Sequence, residues 1–178
     1  MKHETRPSRA ARQPSLRPGD VAVALELALR PAEAFVPLAR AVGISLGEAH
    51  NAVRRLRAAR LLGPEERRVI ASSLVDFLLS GVPYVFPGVW GPDARGVPTA
   101  WSAPPLAADF GDADRVVWPS ASGRLRGQSL TPLYPAAPAL VTTRPDLYEL
   151  LALVDAVRIG RARERALATT QLRRRLAS

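Results

Sequence analysis

Proline limits what this chain can fold into more than any other residue does. Ten of its 17 prolines lie between residues 82 and 142, and a proline inside a helix removes a backbone donor and clashes with the turn before it. Long helices are therefore excluded from that stretch and allowed on either side of it. Its pieces PYVF, VPTAW, RVVW and GRLRGQSL read as short strands and ordered loops between Pro and Gly. The expected fold class is α+β, mainly α, with a helical N-terminal domain, a short-strand Pro/Trp-rich middle and a C-terminal helical pair.

Residues 1–18 mix Arg, Ser and Pro without periodicity and read as a flexible basic arm. A minor groove could take such an arm, although a disordered tail is the simpler expectation. Asp20 is placed to cap a helix running to about Arg30, with Val21, Leu25, Ala28 and Leu29 as its buried stripe. Pro31 ends that helix or starts the next, which continues through Val42 and tolerates Pro37 in its first turn. After Leu61-Leu62-Gly63-Pro64 a further helix is expected over roughly 65–80, with Val69, Ile70, Leu74, Phe77 and Leu78 inward. Beyond Pro145, LYELLALVDAV presents Leu147, Leu150, Leu151, Val154 and Val157 as an apolar face, and a last helix follows Gly160.

The segment LARAVGISLGEAHNAVRRLRAARLL, residues 38–62, carries the strongest functional signal. Ser45 and Glu48 have the S-x-x-E spacing of a capping box, in which each side chain bonds the other's orphan backbone N–H. Gly43 suits a left-handed residue at the end of the preceding helix. At 100° per residue Ala49, Ala52, Val53 and Leu56 share one face; Gly47, Asn51, Arg54 and Ala58 lie opposite, with His50 and Arg55 on the shoulders. Small residues at the crossing, a glycine turn and an apolar inner face are what a helix-turn-helix requires. Docked in a major groove, the second helix would offer Ser45, Gly47, His50 and Asn51 near base edges, Asn51 matching adenine. Arg54, Arg55, Arg57 and Arg60 would reach phosphates, Arg54 alternatively a guanine.

Charge agrees with an acidic partner. The net charge is +9 and the pI about 11.3. Arginine supplies 24 of the 25 cations, a bias that GC-rich codon usage also produces, so location carries more weight than the sum. Residues 1–18 carry +4, 54–68 carry +4 and 158–176 carry +6, whereas 82–157 come to −2. In the terminal helix Arg161, Arg165 and Arg174 spread around the axis, as on a solvated or partner-binding face.

Other chemistry is thinly provided. No cysteine is present, so disulfides and thiolate metal sites are impossible. DFGDAD at 109–114 lacks the regularly spaced oxygen ligands of a Ca²⁺ loop, and a polar turn accounts for it. The histidines are His3 in the arm and His50 on the proposed DNA face; no phosphate loop, nucleophile elbow or H-E-x-x-H occurs. Neither an enzyme nor a cofactor is expected. Trp90, Trp101 and Trp118 with Tyr84 and Tyr134 could line a ligand pocket, stack bases or form the core of the middle segment. No apolar run is long enough to span a bilayer and the N-terminus lacks a signal-peptide core, so the expected location is cytoplasmic.

SLGEAHNAVRRLRAARLL resembles the recognition half of winged helix-turn-helix regulators of the MarR-like kind, with Arg60 where that pattern usually has glycine. No wing hairpin is legible in LLGPEERRVI. The downstream set GVPTAW, VWPS, GRLRGQ, LTPLYP and LALVDAVRIGRARERALATTQLRRRL is similar to bacterial proteins like the AbiEi-type antitoxins of type IV toxin–antitoxin systems. These resemblances imply a winged-helix-like DNA-binding domain over 19–81 and a partner or effector domain over 82–178. They also imply an autoregulating, antitoxin-like repressor of double-stranded DNA, with a nucleotidyltransferase-like toxin as partner. The alternative is a protein-interaction module, toxin-neutralising or scaffolding, in which DNA is secondary. A homodimer is a further expectation, though no interface is legible.

Overall fold

Eight consecutive residues of the first helix, from Asp20 to Leu27, are withdrawn from solvent. The structure, a computed structural model, describes residues 14–64, 67–111 and 114–177. Most of the expected arm, His3 included, lies outside the described residues. In chain order the helices are α1 (Pro18–Leu29), α2 (Phe35–Val42), α3 (Leu46–Ala58), α4 (Ala71–Asp76), α5 (Val82–Val85), α6 (Ala107–Phe110), α7 (Leu140–Thr143), α8 (Pro145–Ile159) and α9 (Ala162–Leu176). The strands are β1 (Trp90–Pro98), β2 (Val116–Pro119) and β3 (Leu125–Leu130). The chain is thus α+β and mainly helical.

Helix α1 was expected to bury one stripe and instead is buried nearly all round. It packs against α2 and α3 and also against α8, so it has no wet face over most of its length. Its start also differs from the expectation. Pro18 opens the first turn, where its missing N–H costs nothing. Asp20 therefore sits inside that turn, accepting the Arg17 backbone N–H at 2.9 Å rather than capping from outside.

Helix α8 shows the same all-round burial, from Leu150 to Val157 without a break. Its one carboxylate there, Asp155, accepts hydrogen bonds from Thr99 Oγ1 at 2.8 Å, Trp118 Nε1 at 2.7 Å and Arg158 at 2.5 Å. That cluster ties α8 to the sheet and offsets the cost of a fully buried charge. At the other end of α8, Arg144 bridges Asp146 to Glu26 of α1, the latter at 2.5 Å.

Each strand of the small sheet pairs with both others, so the sheet closes on itself. β1 runs antiparallel to β2, with Val97 opposite Trp118, and antiparallel to β3, with Ala94 opposite Gly127; β2 and β3 are parallel. The ladder slips between Trp90 and Asp93. Pro92, which cannot donate, sits inside that slip.

Two local expectations fail. PYVF is helical: Val82–Val85 continues α4 through a π-helical turn at Phe77–Gly81, with Pro83 in the first turn of its short helix. The helix expected from 65 begins at Ala71, since Val69 pairs in a β-bridge with Leu62 and Ile70 is largely exposed. One apolar core runs from Val21 through Leu74, Trp118 and Leu151 to Leu176, continuous across residue 82.

Candidate nucleic-acid interface

Helix α3 stands on Ser45, whose Oγ accepts the Glu48 N–H at 3.1 Å. Only half of the expected capping box forms, because the Glu48 carboxylate turns to the Arg55 guanidinium instead. Gly43 ends α2 at φ 75°, ψ 37°, the left-handed geometry expected of it. Behind this turn Tyr134 donates its hydroxyl to the Val42 carbonyl at 2.9 Å, satisfying one of the orphan acceptors at the end of α2. The inner face of α3 is as the periodicity predicts: Ala49, Ala52, Val53 and Leu56 are all buried.

On the outer face Gly47, His50, Arg54 and Ala58 are exposed and Asn51 is half-buried. A Cβ built on Gly47 would meet nothing within 4 Å, so the backbone there faces open space. Arg54 Nη2 donates to Asn51 Oδ1 at 3.3 Å, a bond between two solvent-facing side chains. His50 stacks on Phe35 of α2, with ring centroids 3.7 Å apart. Arg57 is half-buried, and Arg60 is exposed just beyond the helix at φ 58°. Arg60 thus adopts the left-handed conformation that glycine takes most readily.

Arg55 does not stand on a shoulder of the helix. Its Nε and Nη2 bond both Asp20 oxygens, at 2.8 and 2.7 Å, and its side chain is 10% exposed. The hydrogen bonds that Arg55 donates to the Asp20 carboxylate raise the guanidinium's affinity for its proton despite burial. With its donors so engaged, Arg55 holds α3 to α1 and leaves the phosphate-contacting set expected from sequence.

Next to α3 lies a feature that sequence reasoning missed. Leu62 and Val69 form an antiparallel bridge, flanked by Gly63 N–H to Arg68 O at 2.9 Å and Ile70 N–H to Leu61 O at 3.0 Å. The two charged residues between its arms, 65 and 66, lie outside the described residues. Arg67 pins this narrow hairpin to the α1–α2 connection. Its Nε donates to Glu33 O at 2.8 Å, its carbonyl accepts the Ala32 N–H at 3.4 Å, and its guanidinium lies 4.7 Å from the Phe35 ring centroid. The available signal was the pairing of two apolar dipeptides, Leu61-Leu62 and Val69-Ile70, around Gly63-Pro64.

The aromatic residues divide between roles. Trp118 and Tyr134 are in the core; Trp90 and Trp101 line a cleft beside the sheet; Tyr84 is the most exposed of the five. Of DFGDAD, residues 112 and 113 lie outside the described residues. Among the described residues no group of three or more His, Asp or Glu side chains is arranged to hold a metal ion, and no helix is long and apolar enough to cross a membrane. Comparison with protein-family models, with curated proteins and with solved structures gives no match.

Proposed function

We propose that this protein binds double-stranded DNA sequence-specifically through α3, as a winged helix-turn-helix repressor that regulates its own promoter. The observation that carries this reading is the outer face of α3. It is uncovered, small at Gly47 and polar at Asn51, with exposed cations at Arg54 and Arg60. The N-terminal turns of α3 meet base edges, while Arg54, Arg57 and Arg60 reach phosphates. In this reading the Leu62–Val69 hairpin, braced on α2 through Arg67, serves as a short wing. A homodimer would present two such helices to a two-fold related operator.

The test uses a duplex from the protein's own upstream region. Arg54→Ala with Arg60→Ala lowers affinity and flattens the log–log salt dependence by roughly 0.9 per lost phosphate contact. Unchanged affinity and slope in this folded variant would remove α3 as the reader.

A second reading, an interaction module of the antitoxin kind, is favoured by one observation. Tyr84, Val85, Val89 and Trp90 form an exposed apolar run, Tyr84 being 78% exposed. A nucleotidyltransferase-like toxin is the partner implied by the resemblance. Co-purification with such a neighbour, lost on Tyr84→Ser with Val89→Ser while duplex affinity stays non-specific, would establish it.

A further inference from the structure

A cleft of about 770 Å³ opens between the sheet and the α8–α9 junction, within the size range of small-molecule sites. Three aromatic side chains stand around it. Trp101 is held in place by its Nε1–H bond to Asp114 O at 2.9 Å. The Phe110 ring has the Arg163 guanidinium 5.1 Å from its centroid, and Trp90, 42% exposed, stands at the start of β1. Flat faces of this kind are surfaces for another flat ring.

The charged residues of the wall include Asp93, Asp114 and Arg115 as well as two arginines whose guanidiniums are unused. Arg126 on β3 and Arg161 before α9 are exposed, and neither guanidinium has a hydrogen-bond or ion-pair partner among the described residues. Glu164, in the first turn of α9, also lines the cleft, and its Oε2 is buried without a donor among the described residues. A folded chain normally satisfies a buried polar atom, and one concavity here holds such an orphan carboxylate oxygen together with two solvent-exposed guanidiniums that no group among the described residues engages.

We infer that this cleft binds a small aromatic molecule carrying both an anionic group and N–H donors, the chemistry shared by nucleoside monophosphates and aromatic amino acids. The ring stacks between Trp90 and Trp101, the anion pairs with Arg126 and Arg161, and the N–H donors face Glu164. The site lies at the C-terminal end of α8, whereas the Arg144–Glu26 tie to α1 lies at its N-terminal end, a helix length of about 22 Å away. The binding site therefore stands independently of what α3 reads.

The full chain is titrated calorimetrically with AMP, GMP, CMP and UMP in one arm and with L-tryptophan and L-tyrosine in the other. Adenosine and L-tryptophanamide, which lack the anion, serve as controls. Saturable binding is expected in at least one arm, and the tighter arm identifies the source. It should weaken roughly tenfold or more for the matching anion-free compound and for Arg126→Ala with Arg161→Ala. Both arginines are exposed, so the variant should melt at the parent's temperature. Two results would overturn the proposal: no saturation in either arm, or equal affinity in the melt-matched variant.

Discussion

Arg55 of α3 and Asp20 of α1 form a two-pronged ion pair, 2.8 and 2.7 Å long, between side chains that are 10% and 3% exposed. Removing one member of such a pair strands the other charge away from water. Arg55→Ala is therefore expected to lower unfolding free energy by about 3–5 kcal/mol. Arg55→Lys should recover only part of that, because an ammonium cannot reproduce the planar fork. Urea melts of the three proteins check both points, and any loss of DNA binding in Arg55→Ala is to be assigned to this loss of structure.

Arg60 pays a backbone penalty that its side chain does not explain. At φ 58° a β-carbon is crowded, so Arg60→Gly should leave stability unchanged or raise it by up to about 1 kcal/mol. Arg60→Val should lower it by about 1–2 kcal/mol. Thermal melts distinguish the two, while duplex titration of Arg60→Gly isolates the charge.

Gly47 gives the opposite separation. The space above it is empty, so Gly47→Ala should stabilise α3 by up to about 1 kcal/mol. Gly47→Leu should fold as well and yet bind duplex more weakly, since the larger side chain holds the backbone off the groove. Equal duplex affinity for Gly47→Leu and the parent would show that this end of α3 does not approach DNA closely.

The pH dependence should carry the mark of Glu26. Burial pushes its carboxyl above the ordinary range, with Arg144 only partly countering the shift. The unfolded chain then releases this proton before the folded chain does, so this group's contribution to stability falls as pH rises from the ordinary carboxylate range to the raised value. Glu26→Gln has no such titration. Its stability relative to the parent should climb across that window, measured by urea melts at successive pH values; a constant difference would count against a raised value.

Tyr134→Phe tests the brace behind the α2–α3 turn. It deletes the one hydroxyl bonded to the Val42 carbonyl and should cost about 0.5–1.5 kcal/mol. Chemical denaturation of the purified variant supplies the measurement.

Local rules carried a good part of this fold. Ser45, Gly43 and the 3.6-residue rhythm of Ala49, Ala52, Val53 and Leu56 place α3 and its faces correctly, because capping and periodicity act within a few residues. The proline cluster of 82–142 kept long helices out of most of that stretch, where β1, β2 and β3 form, but not out of Val82–Val85, which continues the helix from Ala71. What escaped depends on distant partners. Arg55 resembles any outward arginine until Asp20, 35 residues earlier, is brought beside it. The hairpin at Leu62–Val69 has a single bridge and little strand character, and Phe35 and Arg67 become neighbours only when it folds back. The cleft gathers Trp90, Trp101, Arg126 and Glu164 from separate elements, with no motif linking them.

The enclosure of α1 makes the first half of the chain non-portable. Cut after residue 81, the segment would bare the flank of α1 that rests on α8 and deprive Glu26 of its ion pair with Arg144. Grafting α1–α3 onto another protein would thus require carrying the last two helices along, and selection cannot trade the two halves independently.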